Sequence, residues 1–196
     1  MTSKVSYLRF DRPNVYDMSD EALLEAVGRN DRAALGELFH RYHKDVYRFV
    51  VRLSSYSASD LDDMVQNTFI EVARSAARFQ GRSAPKTWIL GIAANVARMR
   101  MRSEKRRFRA LTILEGLPFF RAATPLETAQ SRQELTRLQQ AIVRLPPLLK
   151  VAFVMCAVEN VPCAEAARSL GIPEGTLWRR LHDARVRIAG DLGKEA

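Results

Sequence analysis

Arginine and tryptophan crowd one short stretch near the end of the chain, where Trp178, Arg179, Arg180, His182, Arg185 and Arg187 follow Glu174 and Thr176. A guanidinium bonds guanine edges bidentately and phosphate oxygens by charge, so this set has the chemistry of a duplex-DNA reader. A solvated basic surface is the competing reading. A second cluster, Arg98, Arg100, Arg102, Lys105, Arg106, Arg107 and Arg109, is opposed only by Glu104. That composition suits a phosphate-binding stripe, with an RNA-binding arm or a solvated helix end as alternatives. Catalysis has one candidate: Glu37 and His40 carry the Glu-x-x-His spacing of a carboxylate-bridged metal site. No second such pair exists and His43 adds no further ligands, so the histidines read as rim residues of a packed helix. No glycine-rich phosphate loop or nucleophile elbow occurs. Cys156 and Cys163 lack a second pair and clustered histidines, which fits neither a zinc site nor a disulfide framework. They read as small core or near-core residues in a reducing compartment. No catalytic residue, metal or cofactor is expected.

The arginines near the end need a helix to present them, and the spacing supplies one. Ala167, Gly171 and Leu177 are placed as the close-crossing residue, the positive-φ turn and the apolar plug of a helix-turn-helix. The second helix keeps Leu177, Leu181, Ala184 and Ile188 inward and spreads its basic residues around the rest, with Pro173 at its start and Glu174 at the positive end of its dipole. The other basic cluster also reads as helical, and Arg98, Arg102, Lys105, Arg106 and Arg109 then share one face. Upstream, Leu35, Leu38, Phe39, Tyr42, Val46, Phe49, Val50 and Leu53 predict one long amphipathic helix after Asn30 and Asp31. A second starts at Ser59 and buries Leu61, Met64, Val65, Phe69, Val72 and Ala76. After a break at 80–84, a third turns Trp88, Ile89, Ile92, Ala93, Val96 and Met99 inward. Periodicity lapses from Thr112 to Ala123, around Pro118, Phe119 and Phe120, as in a linker. Thr124, Pro125 and Glu127 then start a helix carrying Leu135, Leu138, Ile142 and Leu145, which Pro146 and Pro147 end; Leu148, Val151, Ala152 and Met155 begin the next. No run alternates with period two. The expected fold is all-α, with two helical domains (18–111 and 124–194) joined by a linker (112–123) and a helix-turn-helix in the second.

The 196 residues, 47% hydrophobic, suffice for this arrangement, and no apolar stretch is long enough for a membrane span or a secretory signal. A cytoplasmic protein without membrane insertion is expected. The formal charge of +9 indicates an anionic partner.

Several linked motifs carry a family resemblance in order and spacing. They are Asp62-Asp63-Met64-Val65-Gln66-Asn67-Thr68-Phe69, then Phe79, Thr87-Trp88-Ile89 through Ala93-Ala94-Asn95, Leu145-Pro146-Pro147, and Gly171-Ile172-Pro173-Glu174-Gly175-Thr176-Leu177 with Ala184-Arg185. From about Asp31 to Leu192 the chain resembles the extracytoplasmic-function (ECF) sigma factors of bacteria, of the sigma-70 superfamily. The resemblance implies a subunit that binds core RNA polymerase, directs it to particular promoters and opens the DNA, without catalytic chemistry of its own. It implies docking of Asp62, Asp63, Gln66 and Phe69 on the clamp helices of the largest polymerase subunit, although the two acids also suit an early helical turn. It implies reading of the minus 10 element as a single strand by Phe79, Lys86, Trp88, Asn95, Arg98 and Arg102, groups able to stack on or bond an unpaired base. Trp88 also fits a core position. In the second domain, Glu174, Thr176, Trp178, Arg179, Arg180, His182 and Arg185 would meet the minus 35 element in the major groove. An anti-sigma partner is implied too. Asn67, Trp178, Arg179 and Asp183 depart from the residues common in relatives, as do Met99 and Met101 after Asn95, which bears on promoter preference. A helix-turn-helix regulator acting without polymerase is the alternative; the acidic docking helix coupled to a separate basic helix weighs against it.

Overall fold

The computed structural model describes residues 14–53, 58–111 and 129–193. Within them the chain is helical, with no strand among the described residues. The Ser19 hydroxyl accepts the Ala22 N–H at 3.2 Å and opens α1 (Asp20–Gly28), where acids in the first turn suit the dipole. Leu23, Leu24 and Val27 anchor this helix in the core. The expected elements began only at Asn30, so α1 is an addition. Asn30 makes the turn with φ 66°, a conformation asparagine tolerates. The Asp31 carboxylate then accepts the Ala33 and Ala34 N–H groups at 2.9 and 3.2 Å, capping α2 (Arg32–Leu53). Arg41 ties the two helices together. Its guanidinium donates to Glu37 Oε1 (2.7 Å), Asp20 Oδ1 (2.8 Å), the Met18 carbonyl (2.9 Å) and the Tyr16 carbonyl (3.0 Å). Glu37 is thus a buried structural partner of Arg41, and no cluster of three or more His, Cys, Asp or Glu able to hold a metal occurs among the described residues.

Helix α3 (Ala58–Ser75) and helix α4 (Pro85–Leu111) complete the first domain, separated by a 3-10 turn at Ala76–Arg78. The α4 stripe is rotated from its expected place. Ile89 and Ala93 are buried as expected, but Leu90, Ala94 and Ala97 are buried with them, while Met99 is 70% exposed. Phe39 on α2 is also turned out, at 40% exposed. The cause in α4 is a second neighbour, the helix α7 described below, which covers a face that the first domain alone would leave open. Continuation of α4 to Leu111 places the second basic cluster on a helix, although the side chains of Lys105, Arg106, Arg107 and Arg109 lie outside the description. The linker with Phe119 and Phe120, and the start at Thr124, Pro125 and Glu127, also lie outside the described residues.

The second domain comprises α5 (Ala129–Arg144), α6 (Pro147–Phe153), α7 (Cys163–Leu170) and α8 (Glu174–Gly193). Pro147 occupies the first turn of α6, where its missing N–H costs nothing, and α6 runs on into a π turn at Val154–Val158. Gly171 ends α7 with φ 65°, and the Ile172 N–H reaches back to the Ala167 carbonyl at 3.0 Å. Pro173 lies just ahead of α8 and its carbonyl accepts the first helical N–H groups. Ala141, Leu145, Ala184 and Ile188 form a small core joining α5 and α8. The rest of the domain's apolar surface, including Met155, Ala166, Ala167 and Leu177, is continuous with Phe49, Ile89 and Leu90 of the first domain.

Lys150 on α6 is 5% exposed and has no ion-pair partner among the described residues. Burial lowers its ammonium from 10.5 to about 8. Between those values the unfolded chain binds more protons than the folded one, so stability rises with pH across that window. Lys150→Met is expected to be the more stable protein at pH 7 by up to about 3 kcal/mol. The gap should close by pH 10.5, as read from urea midpoints at pH 7, 9 and 10.5. A gap that does not vary with pH would rule out the buried ammonium as its source.

Candidate nucleic-acid interface

Burial of Leu177, Leu181, Ala184 and Ile188 fixes the rotation of α8 and sends its polar residues outward. Arg179, His182 and Arg185 are exposed on it, with Arg180 and Thr176 half-buried. Trp178 is 51% exposed, and its indole N–H donates to Glu174 Oε1 at 3.2 Å. Glu174 thus both complements the helix N-terminus and orients the ring. The arrangement puts Arg179, His182 and Arg185, which have no side-chain hydrogen bond or ion pair among the described residues, and one aromatic edge on a single convex helix, the form that enters a major groove.

On α4, Lys86 and Arg102 are exposed, while Asn95 and Arg98 are half-buried. Lys86 pairs with Asp45 at 3.1 Å. Burial alone would raise the Asp45 carboxyl, but Arg48 and Lys86 outweigh it and hold it below the usual carboxylate range. The Phe79 and Trp88 rings meet edge to face at 5.3 Å, each half-buried against the core. Trp88 is therefore packed on Phe79 at the head of α4 while keeping part of its surface open. Arg98 Nε is buried without a hydrogen-bond partner among the described residues. Burial, then the neighbouring Arg102 and Arg180, lower the Arg98 guanidinium. Arg98 of α4 thus lies close enough to Arg180 of α8 for the two charges to repel.

A third surface lies on α2 and α3. Asp62, Asp63, Gln66 and Asn67 are exposed, with Ile70 beside them at 46%. Phe69, which helical spacing turns inward and the resemblance assigns to docking, is buried at 5% and meets Phe39 edge-on at 4.9 Å. Phe39 takes the outward place. Between Phe39, Tyr47, Asp62 and Gln66 runs an open groove of about 440 Å³. The exposed Phe39 was hidden in the sequence by its position on the apolar stripe of α2, and Tyr47 lies off that stripe with no motif to mark it. The groove is also lined by His43, Lys44 and Arg48, so a rim of mixed charge surrounds its aromatic and aliphatic surface, a composition that suits a protein-docking face.

The sequence matches the family described as Sigma-70 region 2 over residues 38–107 and that described as Sigma-70, region 4 over residues 135–188. The two helical domains are those of the sigma-70 class. The chain is 32% identical to the ECF RNA polymerase sigma factor SigM of Mycobacterium tuberculosis, over 91% of this chain and 87% of that protein. It is also 32% identical to the ECF RNA polymerase sigma-E factor of Haemophilus influenzae, over 87% of this chain and 94% of that protein. The sigma factor RpoE of Bartonella quintana, solved with the anti-sigma factor NepR, shares the fold with a TM-score of 0.64 at 21% identity, covering 81% of this chain and 96% of that one. The chain belongs to the ECF family of RNA polymerase sigma factors. It is accordingly a factor of transcription initiation, and the reading as a regulator independent of polymerase is not favoured. No helix among the described residues is long and apolar enough to cross a membrane.

Proposed function

We propose that this sigma factor docks on core RNA polymerase through the α2 and α3 face, reads the minus 10 element with α4 and its preceding loop, and reads the minus 35 element with α8. The division into a first domain at 18–111, a linker at 112–123 and a second domain at 124–194 belongs to the same reading. Asp62, Asp63 and Gln66 form the polar part of the docking face, with Phe39, Tyr47 and Ile70 as its apolar part. Phe79, Lys86, Trp88, Asn95, Arg98 and Arg102 act on the single strand, and Thr176, Trp178, Arg179, Arg180, His182 and Arg185 on the duplex, with Glu174 orienting Trp178. An anti-sigma protein that covers these surfaces is the proposed regulator. The factor works in the cytoplasm, and its contribution is recognition and strand capture rather than catalysis.

The observation that carries this reading is the presence, in one chain, of two basic helical faces and a third face on α2 and α3 that combines exposed aromatics with charges of both signs. Duplex recognition alone would need only α8. The test is co-purification with bacterial core polymerase followed by transcription from genomic fragments, in which the factor should bind stably and create new start sites. Duplex binding without polymerase binding would defeat it. Within this scheme Arg179→Ala is expected to weaken binding to a minus 35 duplex by about 1–3 kcal/mol and leave capture of a minus 10 single strand unchanged. Equal losses on both DNAs, read by fluorescence anisotropy, would contradict the division of labour.

A further inference from the structure

The second domain brings together the only two cysteines of the chain, Cys156 and Cys163. Their spacing marks no disulfide framework, yet the fold closes the gap between them. Helix α6 runs out in the π turn, where the Glu159 N–H returns to the Val154 carbonyl at 2.9 Å. Asn160, at φ 54°, then reverses the chain, and the Val161 N–H reaches the Met155 carbonyl at 3.0 Å. The Pro162 carbonyl accepts the Glu165 and Ala166 N–H groups at 2.9 Å each, which starts α7 at Cys163. Residue 161 is thereby held against residue 155, and the side chains of Cys156 and Cys163 meet in a thiol–thiol hydrogen bond. Both are free thiols, half-buried at the edge of the core. Each stands on an element that seats the recognition helix. The segment from α6 carries Cys156, close enough to Arg185 of α8 for that charge to act on its thiol, and α7 packs directly on α8.

We propose that Cys156 and Cys163 form a reversible thiol–disulfide pair that reacts with low-molecular-weight disulfides and, once closed, fixes the seat of α8 in its DNA-reading position. Two sulfurs already in contact need only a small movement to reach the bond length of about 2.05 Å. Burial, then the hydrogen bond with Cys163, push the Cys156 thiol up against the opposing effect of Arg185, so Cys156 stays protonated near neutrality. Cys163 therefore makes the first attack. Its thiolate displaces one half of the small disulfide and becomes a mixed disulfide, and Cys156 then displaces the other half as it loses its proton. The cysteine pair gives up two electrons and two protons, which end on the two small thiols released. A reducing compartment returns the pair to thiols by the same exchange in reverse. The closed bond joins the π turn to the start of α7 and restricts the unfolded chain between them, so it stabilises the domain that holds α8. Its effect on DNA depends on α8 reading the minus 35 element, as proposed for this factor; the exchange chemistry does not.

The test uses the full chain under native conditions, treated either with dithiothreitol or with oxidised glutathione. Mass spectrometry should show the oxidised chain as a monomer lighter by two hydrogens and free of attached glutathione, and with 2 cysteines in the sequence that loss identifies this bond. The melting temperature should rise by about 5–10 °C and fall back on reduction. At the melting temperature of the reduced chain, where half of it is unfolded, the oxidised chain should bind a minus 35 duplex about twofold more tightly by anisotropy. Cys156→Ser should stop at the mixed disulfide on Cys163, and Cys163→Ser should react with glutathione disulfide at least about tenfold more slowly than wild type. Should either variant misfold, the wild-type masses and melts decide alone. A chain that stays reduced, or that ends as a lasting mixed disulfide or a linked dimer, overturns the pairing. A bond that forms but lowers the melting temperature or abolishes duplex binding overturns its role in seating α8. Absence of duplex binding in both redox states counts against the minus 35 reading instead, because mass and melting still report on the thiols.

Discussion

Reversing Asp62 and Asp63 to lysine is expected to abolish binding to core polymerase and to leave the chain folded. Both carboxylates are exposed on α3 and neither forms an ion pair among the described residues, so no internal partner is lost. They stand beyond the first turn of α3, where the helix dipole is worth at most about 0.5 kcal/mol to each. Folding therefore changes by about 1 kcal/mol or less. At the docking face, two negative charges become two positive ones in an aromatic patch whose groove already carries Lys44 and Arg48, so the face loses both of its acids and becomes basic. Like-charge juxtaposition at an interface costs several kcal/mol, and about 3 kcal/mol already exceeds a hundredfold change in affinity. The measurement is a titration of labelled factor with core polymerase, paired with thermal melts. Affinity within threefold of wild type would remove α3 from the docking surface. The same variant should retain binding to an isolated minus 35 duplex, because α8 lies on the other domain.

The residues that the sequence revealed best are those with a single neighbour to face. Leu177, Leu181, Ala184 and Ile188 repeat at helical spacing and are all buried, so the outward set on α8 followed from periodicity alone. The same rule failed on α4, where periodicity near three and four is satisfied by several adjacent rows. Which row is buried depends on α7, a neighbour far away in sequence, and Met99 was misplaced for that reason. Gly91 illustrates the limit more sharply. Glycine inside a helix signals weakness or close approach, and only the partner backbone at Ser169 distinguishes the two. Phe39 and Phe69 both lie on apolar stripes, yet only Phe69 is buried, because the residue left at the edge of the bundle is decided by helix crossing rather than by spacing. Helix α1 was legible in principle from Ser19, Asp20 and Glu21 ahead of Leu23, Leu24 and Val27, but nine residues is short for a periodic signal. The Arg41 network was half legible: Glu37 stands one turn away, whereas the Met18 and Tyr16 carbonyls could be found only from coordinates.

Leu177→Ala is expected to destabilise the whole molecule by about 4 kcal/mol and to remove minus 35 binding without touching polymerase docking. Leu177 is fully buried in the angle between α7 and α8. Truncating a buried leucine loses transfer free energy and leaves a cavity, together worth about 2–5 kcal/mol, a large share of the roughly 5–15 kcal/mol that holds a domain together. For a chain of this size the melting temperature should fall by about 8–16 °C. Ala167, the small residue that permits the crossing, cannot fill the space, so α8 loses its fixed seat and its arginines their common orientation. The affinity for a minus 35 duplex should drop at least about tenfold even at temperatures where the variant remains folded, because the bound orientation must then be selected from several. Leu177→Met, close in volume, should cost less than about 1.5 kcal/mol and restore duplex binding. Since Leu177 belongs to the apolar cluster that reaches into the first domain, a single cooperative melt is expected for both halves of wild type. The alanine variant should instead show the second domain melting first. A variant that melts within about 2 °C of wild type, or that keeps full duplex affinity, would mean that α8 is held by α5 and α6 rather than by the plug at Leu177.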